Sequence, residues 1–300
     1  MRILSFTIDG QVRLGVLMSA ERVLDVTNVY PTALALLEAG EIAMSVVLSA
    51  LERAERGEAL AGPIRPLAEV RLKAPVPQAR KLLALAGNYQ EHVKEGGRQV
   101  FPKEETYPYF FLKPPSTSLI GSGEAIRYPQ LARKLDYEGE LTVVIGKRGR
   151  DIPENEAYRY VAGYTILNDI SERALPSKEP PRAERERDRF FDWLVGKWLD
   201  TGAPCGPWLV TKDEIHDPHA LRLRTRVNGE VRQDSTTAEM VFTVPEVIAW
   251  ISRFVTLEPG DLIATGTPSG VGNASGRLLQ PGDVVEVEIE GIGQLRNEVS

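Results

Sequence analysis

The sequence predicts a mostly β protein with some α-helix, in which a small N-terminal α+β unit precedes a larger β-rich domain. Short runs of alternating apolar and polar residues recur along the chain, glycine and proline turns separate them, and few segments have a helical period. The 300 residues suffice for one small and one larger domain, and 42% hydrophobic with 26% charged residues is typical of a packed globular protein.

The N-terminal unit is expected to cover residues 1–73. Two alternating runs flank Asp9-Gly10, which predicts a β-hairpin. The segment "YPTALALLEAG" predicts a helix that ends at Gly40, and a second amphipathic helix is expected over residues 42–56. Pro75 and Pro77 then mark a connector. The boundary at residue 73 leaves residues 74–300 for the second domain.

The second domain is predicted to be a β-sandwich or barrel. Asn228-Gly229 joins two alternating runs and predicts another hairpin, while "VPEVIAWISRFV" is its clearest helix. The other candidate strands are "KLLALAG", "ELTVVIG", "VAGYTILND", "PWLVT", "DLIATGTP" and "DVVEVEIEGIGQLRNEV". Many short strands with few helices favour this architecture over an α/β fold.

Charge and composition exclude several classes of protein. A net charge of −6 argues against a nucleic-acid partner, because phosphate binding requires a concentrated basic surface. Cys205 is the only cysteine, so an intrachain disulfide is excluded. The N-terminus lacks a signal-peptide pattern, and we expect no window to reach the apolar length of a spanning helix. We therefore expect a cytoplasmic protein without a membrane partner.

Acidic residues alternate at the start of the strand segment "LDYEGELTVVIG". Alternation places Asp136, Glu138 and Glu140 on one face of a strand. A second apolar strand, "YTILND", ends at Asp169. Carboxylates delivered to neighbouring strand ends suit a hard divalent cation such as Mg²⁺. For an isolated Glu-x-Glu, a solvent-facing strand start is the commoner interpretation.

A candidate acid–base pair lies in "GNYQEHVKEGG". His92 and Glu95 are three residues apart and so share a face if the segment is helical. Histidine is the usual general base near neutral pH, and a carboxylate orients it. An exposed surface pair is the alternative. Gly96-Gly97 and a long irregular stretch to Gly123 would allow the segment to move as a lid.

Two further segments suggest contacts to an anionic substrate. Lys197 follows a glycine in an apolar context, where it would hold a carboxylate or an enolate oxygen. The turn "ATGTPSGVG" offers the backbone N–H groups of Gly266 and its neighbours, with the Thr267 hydroxyl, as an anion cradle. A surface lysine and a plain tight turn are the alternatives. The turn lacks the spacing of a nucleotide-binding loop.

These segments, in this order, resemble the fumarylacetoacetate hydrolase family over about residues 80 to 290. The motifs are "NYQEHVKE", "YFFLKPPSTSLIGSGEAI", "LDYEGELTVVIGK", "AGYTILNDISER", "GKWLDTGAPCGPWLV" and "ATGTPSGVG". The resemblance implies the family's β-sandwich roll and a site for Mg²⁺, or Mn²⁺ or Ca²⁺, at Glu138, Glu140 and Asp169. It also implies that His92 with Glu95 moves a proton or activates water under a lid. Lys197, Arg173 and Thr267 would contact a 2-oxo acid, and family members commonly form homodimers.

The resemblance leaves the reaction open. Relatives carry Asp and Gln where this chain has Ala174 and Pro176. We expect a metal-dependent enzyme of 2-oxo or aromatic acid catabolism that acts through an enolate, by C–C hydrolysis, decarboxylation or isomerisation of 2-hydroxy-dienoic diacids such as 2-hydroxyhepta-2,4-diene-1,7-dioate. The alternative is a non-catalytic protein that binds a 2-oxo acid.

Overall fold

A computed structural model describes residues 1–19, 21–58, 61–175 and 185–300. Within these ranges the chain forms eighteen strands. They are β1 (Arg2–Ile8), β2 (Gln11–Met18), β3 (Arg22–Asp25), β4 (Ile64–Pro66), β5 (Arg71–Leu72), β6 (Leu82–Ala86), β7 (Tyr109–Lys113), β8 (Leu119–Ile120), β9 (Leu135–Asp136), β10 (Gly139–Ile145), β11 (Val161–Asn168), β12 (Ser171–Glu172), β13 (Ala203–Thr211), β14 (Arg222–Val227), β15 (Glu230–Thr236), β16 (Leu262–Ala264), β17 (Val284–Ile289) and β18 (Gly293–Glu298).

Helices are few and mostly short, as the sequence predicts. The α-helices of the described residues are α1 (Ala33–Glu55), α2 (Gln90–Glu95), α3 (Pro115–Ser118), α4 (Asp188–Val195), α5 (Val244–Ser252) and α6 (Gly272–Ser275). Turns of 3-10 helix cover Leu67–Glu69, Lys103–Glu105, Glu154–Tyr160, Lys212–Glu214 and Thr237–Glu239.

One large sheet joins the N-terminal strands to the later ones. Its order is β4-β3-β2-β1-β13-β11-β10-β16-β6-β7, with β5 paired to β1 and β8 to β13. The junction is antiparallel, with Ile3 opposite Leu209. Both predicted hairpins are present, and the residues at their turns, Asp9, Gly10, Asn228 and Gly229, all have positive φ.

Helix α1 contains the break that the sequence predicts at Gly40. This residue has φ 79° and ψ −160°, so two helical segments meet there at an angle. The expectation about apolar windows is wrong, because α1 holds an 18-residue window of mean hydropathy 1.8, enough to cross a membrane by length and composition alone. One face of the helix, including Leu36 and Val47, packs into the core beside the sheet.

Strand β10 lies in the middle of this sheet and is buried on both faces. Leu141 and Val143 belong to one apolar cluster and Val144 to another. A second sheet, of order β15-β14-β17-β18, covers the beginning of β10. A Cβ atom at Gly139 would lie 2.5 Å from Thr225 Oγ1, so the close approach of the two sheets requires glycine there.

Two segments differ from the sequence prediction. The stretch expected to be irregular up to Gly123 contains strand β7, which is an edge strand of the large sheet. The charged segment after Arg173 includes residues 176–184, so the departure at Pro176 lies outside the described residues. Helix α4 follows this gap.

Candidate metal centre and acid–base pair

The ends of β10 and β11 bring the predicted carboxylates together. Gly139 pairs with Asn168, and the Asn168 side-chain oxygen accepts a hydrogen bond from the Glu138 N–H at 2.9 Å. The Asp169 N–H donates to the Glu138 carbonyl at 2.8 Å. One carboxylate oxygen from each of Glu138, Glu140 and Asp169 lies within 4.8 Å of the others, and all three residues are buried.

Two buried lysines neutralise part of this charge. Lys197 Nζ donates to Glu138 Oε2 and to Asp169 Oδ2, both at 2.7 Å. Lys113 Nζ donates to Asp169 Oδ1 at 2.6 Å and to the Ile170 carbonyl at 3.1 Å. Lys197 was singled out from the sequence, whereas Lys113 was not. Its signal was a lysine at the end of the apolar run "YFFLK", where a cation needs a buried partner.

Arg173 adds a third cation at the edge of the cluster. Its Nη2 bonds Glu138 Oε1, and its Nε donates to Asp136 Oδ2 at 3.0 Å. Asp136 is fully buried but lies outside the group of three carboxylates. The first of the three alternating acids therefore contacts an arginine rather than the centre itself.

The surroundings move the pKa values of the acids in opposite directions. Burial alone would raise the pKa of Glu138, but the charges of Arg173 and Lys197 outweigh it and hold this pKa well below its usual value. Burial, followed by repulsion from Asp169 and Glu138, raises the pKa of Glu140 well above its usual value. Lys197 lowers the pKa of Glu140 only from a distance, whereas it donates hydrogen bonds directly to Glu138 and Asp169.

The lysines also differ. Burial would lower the pKa of Lys197, but Asp169 and Glu138 raise it above the usual value. Burial lowers the pKa of Lys113, although Asp169 opposes the change, because Lys113 touches one carboxylate and faces the charge of Lys197. The second carboxylate contact of Lys197 accounts for the difference.

The carboxylates fit a divalent cation. Glu140 Oε2 accepts a hydrogen bond from the Gly266 N–H at 2.7 Å, whereas Glu140 Oε1 is buried and has no partner among the described residues. A buried carboxylate oxygen without a donor is costly unless a cation binds it. Oxygen ligands from three acids are typical of Mg²⁺ and Mn²⁺ sites. Glu138, Glu140 and Asp169 form a divalent-metal site.

The predicted acid–base pair also forms. His92 Nδ1 lies 2.8 Å from Glu95 Oε1 on helix α2. Glu95 Oε2 accepts a hydrogen bond from the Gly270 N–H at 2.8 Å. Both side chains are partly exposed, at 20% and 17%. The Gly270 carbonyl accepts a hydrogen bond from the Tyr137 hydroxyl at 3.0 Å, so the pair is anchored to the residue that precedes the carboxylate Glu138.

The predicted anion cradle is occupied by contacts within the protein. The Gly266 N–H binds Glu140, and the Thr267 hydroxyl donates to the Gly139 carbonyl at 3.0 Å. Gln233 donates to Thr267 Oγ1 at 2.8 Å, and its carbonyl accepts from the Gly139 N–H at 3.1 Å. Substrate contact by this turn stays a prediction. Gln233, 94 residues from Gly139, was not found from the sequence.

A buried site of three carboxylates, flanked by lysines and a His–Glu pair, is typical of enzymes that use a divalent metal ion as a Lewis acid. The family model for the C-terminal region of fumarylacetoacetate (FAA) hydrolase matches residues 81–300. The chain belongs to the fumarylacetoacetate hydrolase family and is an enzyme of that family.

Individual relatives agree with this assignment. Oxaloacetate tautomerase YisK of Bacillus subtilis is 42% identical over 237 residues, which cover 78% of this chain and 74% of the relative. A fumarylacetoacetate hydrolase from Exiguobacterium antarcticum is 35% identical, with TM-score 0.80 over 100% of this chain and 99% of that one. Maleylpyruvate hydrolase from Sphingobium sp. SYK-6, solved with manganese(II) and pyruvate, is 30% identical, with TM-score 0.78 over 100% and 98%.

Proposed function

We propose that this enzyme interconverts the keto and enol forms of a short 2-oxo dicarboxylic acid of the oxaloacetate class. The observation that carries the proposal is the His92–Glu95 pair, which Gly270 anchors to Tyr137, the residue that precedes the carboxylate Glu138. Tautomerisation requires a base near an activated carbonyl and no co-reactant. Likeness to an oxaloacetate tautomerase at 42% identity supports the same reaction.

In this mechanism Glu138, Glu140 and Asp169 would hold a divalent cation, which would supply Lewis-acid polarisation of the 2-oxo group. Glu95 accepts the Nδ1–H of His92 and so fixes the tautomer whose Nε2 accepts a proton. His92 takes the proton from the carbon next to the ketone, and the imidazolium so formed gives a proton to the enolate oxygen, which leaves His92 neutral again. Lys197 and Arg173 supply positive charge to the site. This charge stabilises the negative charge that develops on the enolate oxygen and the charge that the substrate carboxylate carries.

The test follows the enol ultraviolet band of oxaloacetate in the presence of Mn²⁺ or Mg²⁺, with malate dehydrogenase as a second reporter of the keto form. We expect decay faster than with metal alone, and a loss of about 100-fold or more in His92→Gln. His216→Gln is the matched control, because His216 is exposed in a loop. A wild-type enzyme that leaves the enol decay unchanged would contradict the proposal.

C–C hydrolysis is the second candidate. It is favoured by the full-length likeness to maleylpyruvate hydrolase. In that reaction the His92–Glu95 pair would deliver water to a second carbonyl rather than return a proton to carbon. Acylpyruvates distinguish the two reactions, because cleavage yields two separate acids that chromatography detects, whereas tautomerisation leaves the carbon skeleton whole.

We also propose that the enzyme is a homodimer that pairs through the surface around β7. This strand ends the large sheet of the described residues, and it exposes Tyr109 at 66% and Leu112 at 50%. Tyr107 stacks on Trp250 nearby, at 5.1 Å between ring centroids. An exposed edge with aromatic residues favours a protein contact. Light scattering should give the mass of a dimer for the wild type. Tyr109→Lys should lower this mass towards that of a monomer, whereas the control Ile42→Lys should leave it unchanged.

A further inference from the structure

Asp136 is buried against four hydrogen-bond donors and belongs to no site described so far. Its Oδ1 accepts from the N–H groups of Tyr137 at 2.9 Å and Gly272 at 2.7 Å. Its Oδ2 accepts from the Asn273 N–H and from Arg173 Nε, both at 3.0 Å. Four donors around two oxygens use the full acceptor capacity of an ionised carboxylate, which an amide could not supply.

The loop that Asp136 holds, residues 270–273, is also the place where the His–Glu pair is anchored. The Gly270 N–H donates to Glu95 Oε2 at 2.8 Å, and the Gly270 carbonyl accepts from the Tyr137 hydroxyl at 3.0 Å. A Cβ at Gly272 would lie 2.6 Å from Asp136 Oδ1. The loop therefore sits directly on the consecutive residues Asp136 and Tyr137.

On its other side Asp136 holds the arginine that contacts a metal ligand. Arg173 Nε binds Asp136, and Nη2 of the same planar guanidinium binds Glu138. A guanidinium fixed at one nitrogen has its remaining donors fixed in direction. The orientation of the Glu138 carboxylate is thus linked to Asp136 through one rigid group.

We propose that Asp136 is a positioning residue that couples the His92–Glu95 pair to the metal centre. It fixes loop 270–273, which holds Glu95 and through it the His92 ring. It also fixes Arg173, which orients Glu138. The hydrogen bond from Gly270 to Glu95 holds helix α2 in place. The position of this helix and the orientation of Glu138 therefore both depend on Asp136. Only the role of His92 in this inference rests on the proposed function.

Asp136→Asn tests the coupling, because it keeps the size of the side chain and removes the charge and two acceptor positions. We expect amide hydrogen exchange to rise at least tenfold both in residues 270–275 and in helix α2, and the Kd for Mn²⁺ to rise.

Asp261→Asn is the matched control. Asp261 is also buried and binds Lys81 at 2.8 Å and the Glu258 N–H at 2.7 Å, but it lies just beyond the opposite end of β10. It should leave exchange in α2 and the Kd for Mn²⁺ at wild-type values.

Wild-type exchange of helix α2 and wild-type Mn²⁺ affinity in folded Asp136→Asn would overturn the proposal. Should Asp136→Asn fail to fold, Arg173→Lys decides, because lysine keeps the charge but cannot bind Asp136 and Glu138 as a fork. Faster exchange of residues 270–273 together with a higher Kd for Mn²⁺ in this variant supports the coupling through Asp136, and wild-type values for both overturn it. Neither readout uses a substrate, so failure of the tautomerase assay and failure of the coupling are separate results.

Discussion

The Nζ of Lys113 lies 2.6 Å from Oδ1 of Asp169, and both side chains are fully buried. This pair places a cation on the opposite oxygen from the one that Lys197 binds. Asp169 therefore has both carboxylate oxygens engaged, while Glu140 keeps one oxygen free of donors. Asp169 is therefore held in place by two lysines, whereas one carboxylate oxygen of Glu140 remains available to a cation.

Lys113→Met should destabilise the metal-free enzyme, because removing one partner of a buried pair costs about 3–5 kcal/mol. Urea unfolding in EDTA measures this loss. Added Mn²⁺ should restore more stability in the variant than it adds to the wild type, because the lost positive charge no longer repels the metal ion. In Lys81→Met, which breaks a pair with buried Asp261, the stability loss should not depend on Mn²⁺. Equal responses to Mn²⁺ in the two variants would contradict the assignment of Lys113 to the metal centre.

Glu140→Gln should have effects of opposite sign on stability and on metal binding. Carboxylates within 4.8 Å repel by about 3 kcal/mol per pair at an effective dielectric constant of 20, so removing one charge should stabilise the metal-free enzyme. Calorimetry with Mn²⁺ should show at least about 100-fold weaker binding, since loss of a ligand exceeds the outer-shell effect.

Glu172→Gln is the control for the predicted gain in stability of the metal-free enzyme. Glu172 is equally buried, but its oxygens accept hydrogen bonds from the N–H groups of Arg133, Lys134 and Ala174 at 2.8 to 3.2 Å. The amide should therefore destabilise the enzyme there. If Glu140→Gln lowered the stability of the metal-free enzyme in the same way, Glu140 would be a structural carboxylate instead of a poised ligand.

The sequence predicted the structural features that depend on residues close together in the chain. The hairpin turns, the break at Gly40 and the capped helix α5 follow from residues adjacent in the chain. The strand pattern predicts that acids meet at the ends of two neighbouring strands, because paired strands align their ends. The choice of Glu138, Glu140 and Asp169 over Asp136 came from the family resemblance. Contacts over long separations left no such pattern: Lys113 reaches Asp169 across 56 residues and Gln233 reaches Gly139 across 94. Strand β7 was missed because prolines flank a short aromatic run.

His219 should make stability depend on pH below its usual pKa of 6.5. Burial lowers its pKa, although Asp217 opposes the change, and its Nε2 accepts a hydrogen bond from the Val244 N–H at 3.0 Å. The folded state thus binds fewer protons than the unfolded chain, so this stability is present above pH 6.5 and is lost as the pH falls. Urea midpoints in EDTA between about pH 7.5 and 5.5 should fall for the wild type and for His216→Gln, and fall less for His219→Gln. Parallel curves for all three proteins would show that His219 is not responsible.

Gln233→Leu should weaken metal binding as well as the fold. The side chain joins Gly139, which lies between two metal ligands, to Thr267 and to the Pro268 carbonyl at 2.9 Å. Leucine removes the hydrogen bonds that Gln233 makes to the Gly139 N–H and the Pro268 carbonyl, at about 1–3 kcal/mol each, and frees the turn to move relative to β10. We expect the Kd for Mn²⁺ to rise about 10-fold to 100-fold, as for other outer-shell changes. Asn297→Leu separates the two effects, because the Asn297 amide is also buried and donates to the Gly121 and Glu124 carbonyls, both at 2.8 Å, away from the metal ligands. It should lose similar stability and keep wild-type Mn²⁺ affinity. If both variants kept that affinity, Gln233 would support the fold alone.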